Sequence, residues 1–378
     1  MRIFPTPYPQ SQPIAAVSDP LALRAAERVA RTVGDLRLGL PVVLAGDDGA
    51  AMVVAVETLT KERLDALRDE GMELVLTARR AEALHHPVDT DVARFPVSRD
   101  VRLSWLQAMA DPTRSMAGPA ALPRAPKNVT GSIQRAAIML AKSAELVPAA
   151  LIVPGPDVMA TALRHNLSIL SADEALAQAG LPNRPRAVSN ARVPMAAAAA
   201  GRLHVFRPDT HGPEHYAIQV GEPDPSRPVL VRLHSACFTG DVLGSLKCDC
   251  GPQLQAAIAA MNEAGSGILL YLNQEGRGIG LANKMRAYGL QDQGLDTVEA
   301  NHRLGFEDDE RDFRVGASLL RELGIGQVRL LTNNPAKIRR LESEGIVVAE
   351  RVRLMVGRGP DNTRYLDTKA AKSGHLFA

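Results

Sequence analysis

Apolar residues recur at threes and fours among charges from Leu21 to Gly39, the period of an amphipathic helix. Two nearly continuous apolar runs follow, PVVLAG and AAMVVAVE, which predict short buried strands around a turn at Asp47-Asp48-Gly49. Thr60 opens TKERLDALRDEG as a helix N-cap and Gly71 closes it. ELVLTA predicts a further strand. Residues 110–131 are rich in Pro, Gly and Ser and predict a long loop. Helix IQRAAIMLAKSAEL, strand AALIVP, helix DVMATALRHN and strand LSIL complete a mixed α/β unit by about residue 175.

The pattern then breaks. LPNRPRAVSNARVPMAAAAAG (181–201) carries flanking prolines and no period, and predicts a linker. Beyond it, RLHVFRP, HYAIQVGE and VLVRLHS predict strands of a mostly antiparallel sheet. Helix PQLQAAIAAMNEAG, strand GILLYLN, the turn QEGRGIG and helix LANKMRAYGLQ come next. Strand QVRLLT then leads through NNP into helix AKIRRLESEG. The expected organisation is an irregular arm over 1–20, one α/β domain over 21–180, the linker, and a second α/β domain of mixed sheet over 202–378. No solenoid-type repeat is present.

Composition narrows the function classes. The 378 residues are 46% hydrophobic, enough for two cores. Forty-four basic against 42 acidic residues leave +2, too even for binding nucleic acid by bulk charge. Aromatics at 3% give no stacking platform for single strands. No apolar run approaches the roughly 20 residues that span a bilayer, and prolines interrupt the start where a leader would need an apolar stretch. A cytoplasmic, non-membrane chain is expected.

The three cysteines, Cys237, Cys248 and Cys250, all fall in one short stretch with spacing C-x10-C-x-C. An odd, clustered set is a poor disulfide framework and suits zinc. Two readings stay open: three thiolates with a fourth position for water, or a closed structural site completed by His234. Glycines in Gln274-Glu275-Gly276-Arg277-Gly278-Ile279-Gly280 suit either phosphate binding with Arg277 or a plain tight turn. Thr332-Asn333-Asn334-Pro335 ahead of Lys337 offers a second anion site by the same logic. Asp308-Asp309-Glu310-Arg311-Asp312 reads as a solvated charge run on composition alone. The preceding TVEANHRLGF, with Thr297, Glu299, Asn301 and His302, is more polar than a plain helix needs.

Taken together, HSACFTGDVLGSLKCDCG, QEGRGIGLANKMRAYGLQDQGLDTVEANHRLGF, DERDF, LLTNNPAK and the late VGRGPDNTRYLDTKAAKSGH resemble the GTP cyclohydrolase II family of riboflavin biosynthesis over residues 203–376. The resemblance implies conversion of GTP to 2,5-diamino-6-ribosylamino-4(3H)-pyrimidinone 5′-phosphate, formate and diphosphate by a homodimer. It implies one zinc per subunit on Cys237, Cys248 and Cys250, activating water for attack at guanine C8. Asp309 matches the family's general base, Arg311 its proposed nucleophile toward the α-phosphate, and Tyr288 a tyrosine near the transferring protons. A guanidinium is almost always protonated, so a purely electrostatic role for Arg311 stands beside the nucleophilic one. Arg232, Leu233, His234, Ser235, Ala236, Gln253, Glu275, Gly276, Arg277, Thr297, Thr332 and Lys337 fall on GTP-contacting positions, with magnesium on the triphosphate. Ala236 and Gly278 depart from the family's usual residues.

The first half more faintly resembles 3,4-dihydroxy-2-butanone 4-phosphate synthase, through DLRLGLPVVLAGDDGAAMVVAVETLTKERLDALRDEG. That family's acidic loop is here reduced to Asp47-Asp48-Gly49-Ala50-Ala51, and Gly131-Ser132-Ile133-Gln134 stands in place of its His-Thr. Proton abstraction beside a carbonyl needs a base and metal ligands, and this segment has too few. The expectation is a fold kept without its chemistry. The alternatives are a bifunctional enzyme, or a nucleotide-sensing module with a structural zinc.

Overall fold

The computed structural model describes residues 19–356 apart from 48, 70, 115–130, 183, 210, 211 and 355. The expected N-terminal arm up to residue 18, most of the 110–131 loop and the late segment after 356 lie outside the described residues. Two mixed α/β units follow one another. The first comprises α1 (Ala25–Arg37), β1 (Val42–Gly46), β2 (Gly49–Ala55), α2 (Lys61–Leu67), β3 (Glu73–Thr77), α3 (Ala78–Ala83), β4 (Val92–Pro96), α4 (Leu103–Ala110), α5 (Ser132–Ser143), β5 (Ala149–Pro154), α6 (Val158–His165), β6 (Ile169–Ser171) and α7 (Ala172–Gly180). Its sheet runs β4-β3-β5-β2-β1-β6, antiparallel except for the β1–β6 pair.

The apolar runs form strands because both faces of the sheet are covered. Alternate residues serve opposite cores: Val53, Val75 and Ile152 face one, Val54, Leu74 and Leu151 the other. Gly46 pairs with Gly49, which makes the β1–β2 hairpin a tight one. Thr60 caps α2 by accepting from the Arg63 N–H, but the helix stops at Leu67, four residues short of Gly71.

The second unit comprises β7 (Arg186–Arg192), β8 (Gly201–Arg207), β9 (His215–Val220), β10 (Val229–Ser235), α8 (Cys250–Glu263), β11 (Gly267–Leu272), α9 (Glu275–Gly278), α10 (Gly280–Asp292), α11 (Thr297–Leu304), α12 (Arg314–Glu322), β12 (Gln327–Leu331), α13 (Pro335–Ser343) and β13 (Val347–Val352). The order is β13-β12-β10-β11-β9-β8-β7. Two sequence expectations change here. The segment 181–201 is not all linker, because β7 pairs antiparallel with β8 as the sheet's edge. All seven β7 residues are exposed, so backbone pairing alone makes the strand and no hydrophobic period announces it. VLVRLHS does not join an antiparallel sheet either. As β10 it is parallel to both neighbours, β11 and β12.

That parallel centre positions the site. The chain leaves β10, crosses by α8 to β11 on one side, and later returns to β12 on the other. Loops from the carboxyl ends of β10, β11 and β12 therefore diverge around a crevice, where open α/β sheets bind ligands. Beneath it Val231, Leu233, Leu270, Leu272 and Leu330 fill the core at 1% exposure or less, each contributing about 2 kcal/mol of burial.

The first unit packs against α10, α11 and the loop after α11. Buried Arg80 donates to the carbonyls of Ala108 and Met109 in its own unit and of Arg303 in the second, at 3.2, 2.7 and 3.0 Å. Arg286 of α10 pairs with Glu57 at 2.8 Å and Asp111 at 3.0 Å.

Candidate active site

A cavity of about 300 Å³ opens at the carboxyl ends of β10, β11 and β12. Every residue singled out from the sequence for zinc, GTP or catalysis lines it, from Arg232–Cys237 at and just beyond the end of β10 to Thr332 and Lys337 beyond β12. Residues 100 positions apart in the chain meet here because the parallel strands end together.

The cysteines are gathered by two local devices. Cys237 lies two residues beyond β10 and leads into a π-helical turn (Phe238–Val242), while Cys250 begins α8. Their sulfurs and that of Cys248 lie within 4.8 Å of one another, with Cys237 and Cys248 3.7 Å apart. Among the described residues this is the one group of three or more Cys, His, Asp or Glu side chains close enough to hold a metal. Gly240 makes room, since a Cβ there would stand 2.7 Å from Cys248 Sγ and 3.2 Å from Cys237 Sγ. Donation from Cys248 and Cys250, outweighing burial and aided by the Lys284 ammonium, holds Cys237 toward thiolate. The donor set fits zinc.

His234 does not join that cluster. Its Nε2 lies 3.1 Å from both carboxylate oxygens of Asp241, and a carboxylate only accepts, so Nε2 carries the proton. Asp241 also accepts from Tyr271 Oη at 2.9 Å and from the Cys237 N–H at 3.0 Å. Burial outweighs Asp241 and lowers the His234 pKa, keeping the ring neutral. The pair thus fixes the backbone at the first cysteine, and the closed site through His234 is not what the geometry gives.

Next to it Arg232, buried, donates to Leu331 O at 3.0 Å and to Gln253 Oε1, while its Nε meets no partner. Burial lowers its pKa to about 10. A buried donor without an acceptor costs roughly 1–3 kcal/mol, the mark of a group awaiting a ligand.

The charge run is solvated only in part: Glu307 and Asp308 are exposed, whereas Asp309 and Arg311 form part of the cavity wall. Arg311 grips Asp309 with both arms, Nε to Oδ1 at 2.8 Å and Nη2 to Oδ2 at 2.7 Å, and its Nη1 reaches Ser235 Oγ at 3.1 Å. Burial alone would raise the Asp309 pKa, but the Arg311 guanidinium prevails and holds it below the usual carboxylate range. The glycine-rich segment forms α9, whose Gly276 and Arg277 take left-handed φ of 62° and 64°. Glu275 there accepts from the Phe238 and Gly276 N–H groups at 2.6 and 2.8 Å. Thr332 accepts from the Asn334 N–H at 3.0 Å, Asn334 caps α13, and Lys337 Nζ donates to Leu233 O at 2.8 Å.

Residues 186–353 match the family model described as GTP cyclohydrolase II. A GTP cyclohydrolase-2 of Azospirillum brasilense is 43% identical over 375 residues, covering 95% of this chain and 95% of that protein. The chain belongs to the GTP cyclohydrolase II family. A GTP cyclohydrolase-2 of Cronobacter sakazakii is 59% identical over 167 residues, 44% of this chain and 85% of that protein. A solved structure of RibBX, a two-domain 3,4-dihydroxy-2-butanone 4-phosphate synthase from A. baumannii, covers 87% of this chain at 18% identity and a TM-score of 0.34, too loose a likeness to carry weight.

For a cyclohydrolase, the side chain that sequence reasoning missed is Lys284. It is buried on α10 and donates to Cys237 Sγ at 3.1 Å, Thr239 Oγ1 at 2.9 Å and Glu275 Oε1 at 2.9 Å. Burial would lower its pKa, yet the Cys237 charge and Glu275 raise it, so it stays a cation. A lysine one turn before Tyr288 on a helix of weak period was the available signal. Tyr288 has the Lys247 ammonium 5.1 Å and the Lys284 ammonium 5.6 Å from its ring centre, and burial pushes its phenol up to about 12.

Proposed function

We infer that this enzyme opens the guanine ring of GTP, releasing formate and diphosphate and leaving 2,5-diamino-6-ribosylamino-4(3H)-pyrimidinone 5′-phosphate, the first committed step of riboflavin biosynthesis. The observation that carries this is the opening of a three-cysteine cluster and an Asp–Arg pair onto one cavity. Cys237, Cys248 and Cys250 would hold zinc, which when bound supplies Lewis-acid activation of water at guanine C8.

The protein's own groups then divide the work. Asp309, ionised at neutral pH, accepts a proton. Arg311, committed by two hydrogen bonds to that carboxylate, acts as a fixed cation toward the α-phosphate, which favours the electrostatic role over the nucleophilic one. Tyr288, protonated at neutral pH, donates near the reacting base. The orphaned Nε of Arg232 supports a substrate acceptor beside Gln253, and Lys337 at the start of α13 suits phosphate. Glu275, Gly276, Arg277, Thr297 and Thr332, with Leu233 to Ala236, complete the GTP contacts. Magnesium accompanies the triphosphate, as it does where a site is built around substrate phosphates.

The first unit is a scaffold without its own reaction in this reading. Its β1–β2 turn is too short for an acidic loop. Glu73 is engaged by Arg94 at 2.6 Å and Gln134 at 3.4 Å. A homodimer is supported by apolar side chains left exposed beside the cysteines, among them Phe238 at 45%, Val242 at 67%, Leu246 at 71% and Met285 at 41%. No helix among the described residues is long and apolar enough to cross a membrane, which accords with a cytoplasmic setting. The test is mass-spectrometric product analysis of zinc-loaded protein with GTP and magnesium. Formate and the diaminopyrimidine are expected in equal amounts; folded, metallated protein that yields no formate would overturn the assignment.

A further inference from the structure

The first unit meets the 307–312 loop through two ion pairs, Arg79 with Glu307 at 3.0 Å, where both side chains are well exposed, and the more buried Lys142 with Glu310. Lys142, in the last turn of α5, places Nζ 2.6 Å from Glu310 Oε1, with 26% and 21% of the two side chains exposed. The same ammonium lies 5.9 Å from the ring centre of Phe306, which is buried at the root of the loop. Glu310 sits between Asp309 and Arg311 in the chain. Its carboxylate also accepts from the Glu307 N–H at 2.9 Å, and its own backbone N–H donates to Arg277 O at 3.0 Å. One residue therefore joins the N-terminal unit through its side chain and the glycine-rich turn through its backbone, between Asp309 and Arg311 in the chain.

The turn is clamped from both sides. A Cβ at Gly278 would stand 2.8 Å from the Glu310 carbonyl, and one at Gly280 would stand 3.0 Å from Cβ of Glu145 in the N-terminal unit. The departure of Gly278 from the family's usual residue thus has a local cause: loop and turn touch backbone to backbone.

Five acidic residues crowd positions 307–312 with Arg311 as the one base among them. Such a run repels itself and has little apolar surface to seat it, so its position depends on cations brought from outside. We propose that Lys142 is a positioning residue for the reaction, a cation lent by the N-terminal unit that seats the 307–312 loop and so holds Asp309 and Arg311 at the cavity wall. Residues 309 and 311 flank the anchored carboxylate, so any drift of Glu310 moves both. The proposal rests on the cyclohydrolase reading above, and it gives the first unit a use that needs no reaction of its own.

The test pairs hydrogen exchange of the Glu307 and Glu310 amides with steady-state formate release in the full zinc-loaded chain. Lys142→Met is expected to speed exchange across 306–312 and lower kcat roughly tenfold, with KM moved less than about twofold. Lys142→Arg should keep both near wild type. Lys142→Glu and Glu310→Lys should each fail where the two combined recover at least about a third of kcat. Lys61→Met, on an exposed pair elsewhere in the unit, should change nothing. Unchanged exchange in Lys142→Met, faster exchange with wild-type kcat, or no recovery in the reversed pair would overturn the proposal. Wild-type protein inert toward GTP would instead sink the functional reading, and exchange would then judge the brace alone.

Discussion

Both sheets bury apolar side chains on two faces, but they differ in the polar groups they enclose. Of the buried polar or charged side chains among the described residues, six lie before residue 181 and thirteen after it. The six are structural: Thr77 caps α3, Ser168 donates to Asp35 at 2.5 Å, Arg80 satisfies three carbonyls and Asp111 receives Arg286. In the second unit Arg232 Nε, Gln274 Oε1 and Arg351 Nη1 are buried without a partner. Burying a polar group unpaired costs more than it returns, so folding alone would not select such an interior. The contrast supports the reading proposed above, with chemistry in the second unit and support in the first.

The largest expected effects fall on the second unit. Cys248→Ser should empty the metal site and cut formate release by about a thousandfold or more, since a neutral hydroxyl is a far weaker zinc ligand than a thiolate. Metal analysis with formate quantitation checks it; retained zinc with full activity would break the contrast. Arg311→Ala should lower kcat/KM for GTP by about 10²–10³, or roughly 3–4 kcal/mol, and leave zinc content intact.

A smaller effect is on stability. Burial pushes His215 down to about 4, with Asp312 only partly opposing it. Between that value and the ordinary 6.5 the unfolded chain binds the proton and the folded chain does not, so stability falls as pH falls through this window. The loss should reach about 2–3 kcal/mol by pH 4.5. His215→Gln, which keeps an acceptor for the Asn273 N–H, should flatten that dependence in urea titrations. Gly240→Ala should cost about 1–3 kcal/mol of packing against Cys248 and weaken zinc retention in a chelator competition. Asp47→Asn, on the exposed β1–β2 turn of the first unit, should change GTP turnover by less than about twofold.

How far the sequence carried the reading follows the same divide. Runs such as ALIV and ILLYL announce strands because their burial on both faces is written in composition. β7 was illegible, having no side chain buried to betray it. The parallel setting of β10 was hidden too, because strand order is a long-range property that no local pattern states. In the site, the cysteines stood out by scarcity, whereas Lys284 and Asp241 look like ordinary helix and turn residues until the fold brings them to Cys237 and His234. The His234 alternative could be decided only by where Asp241 lies. The acidic run misled composition for a physical reason: Arg311 turns back onto Asp309 and both face inward.

The contrast between the units is tested most directly by one zinc-loaded preparation divided between two substrates, GTP with magnesium and ribulose 5-phosphate with magnesium, with formate measured in both. The account predicts formate with the diaminopyrimidine from GTP, and neither formate nor dihydroxybutanone phosphate from the sugar phosphate. Formate from ribulose 5-phosphate, or none from GTP, would contradict it.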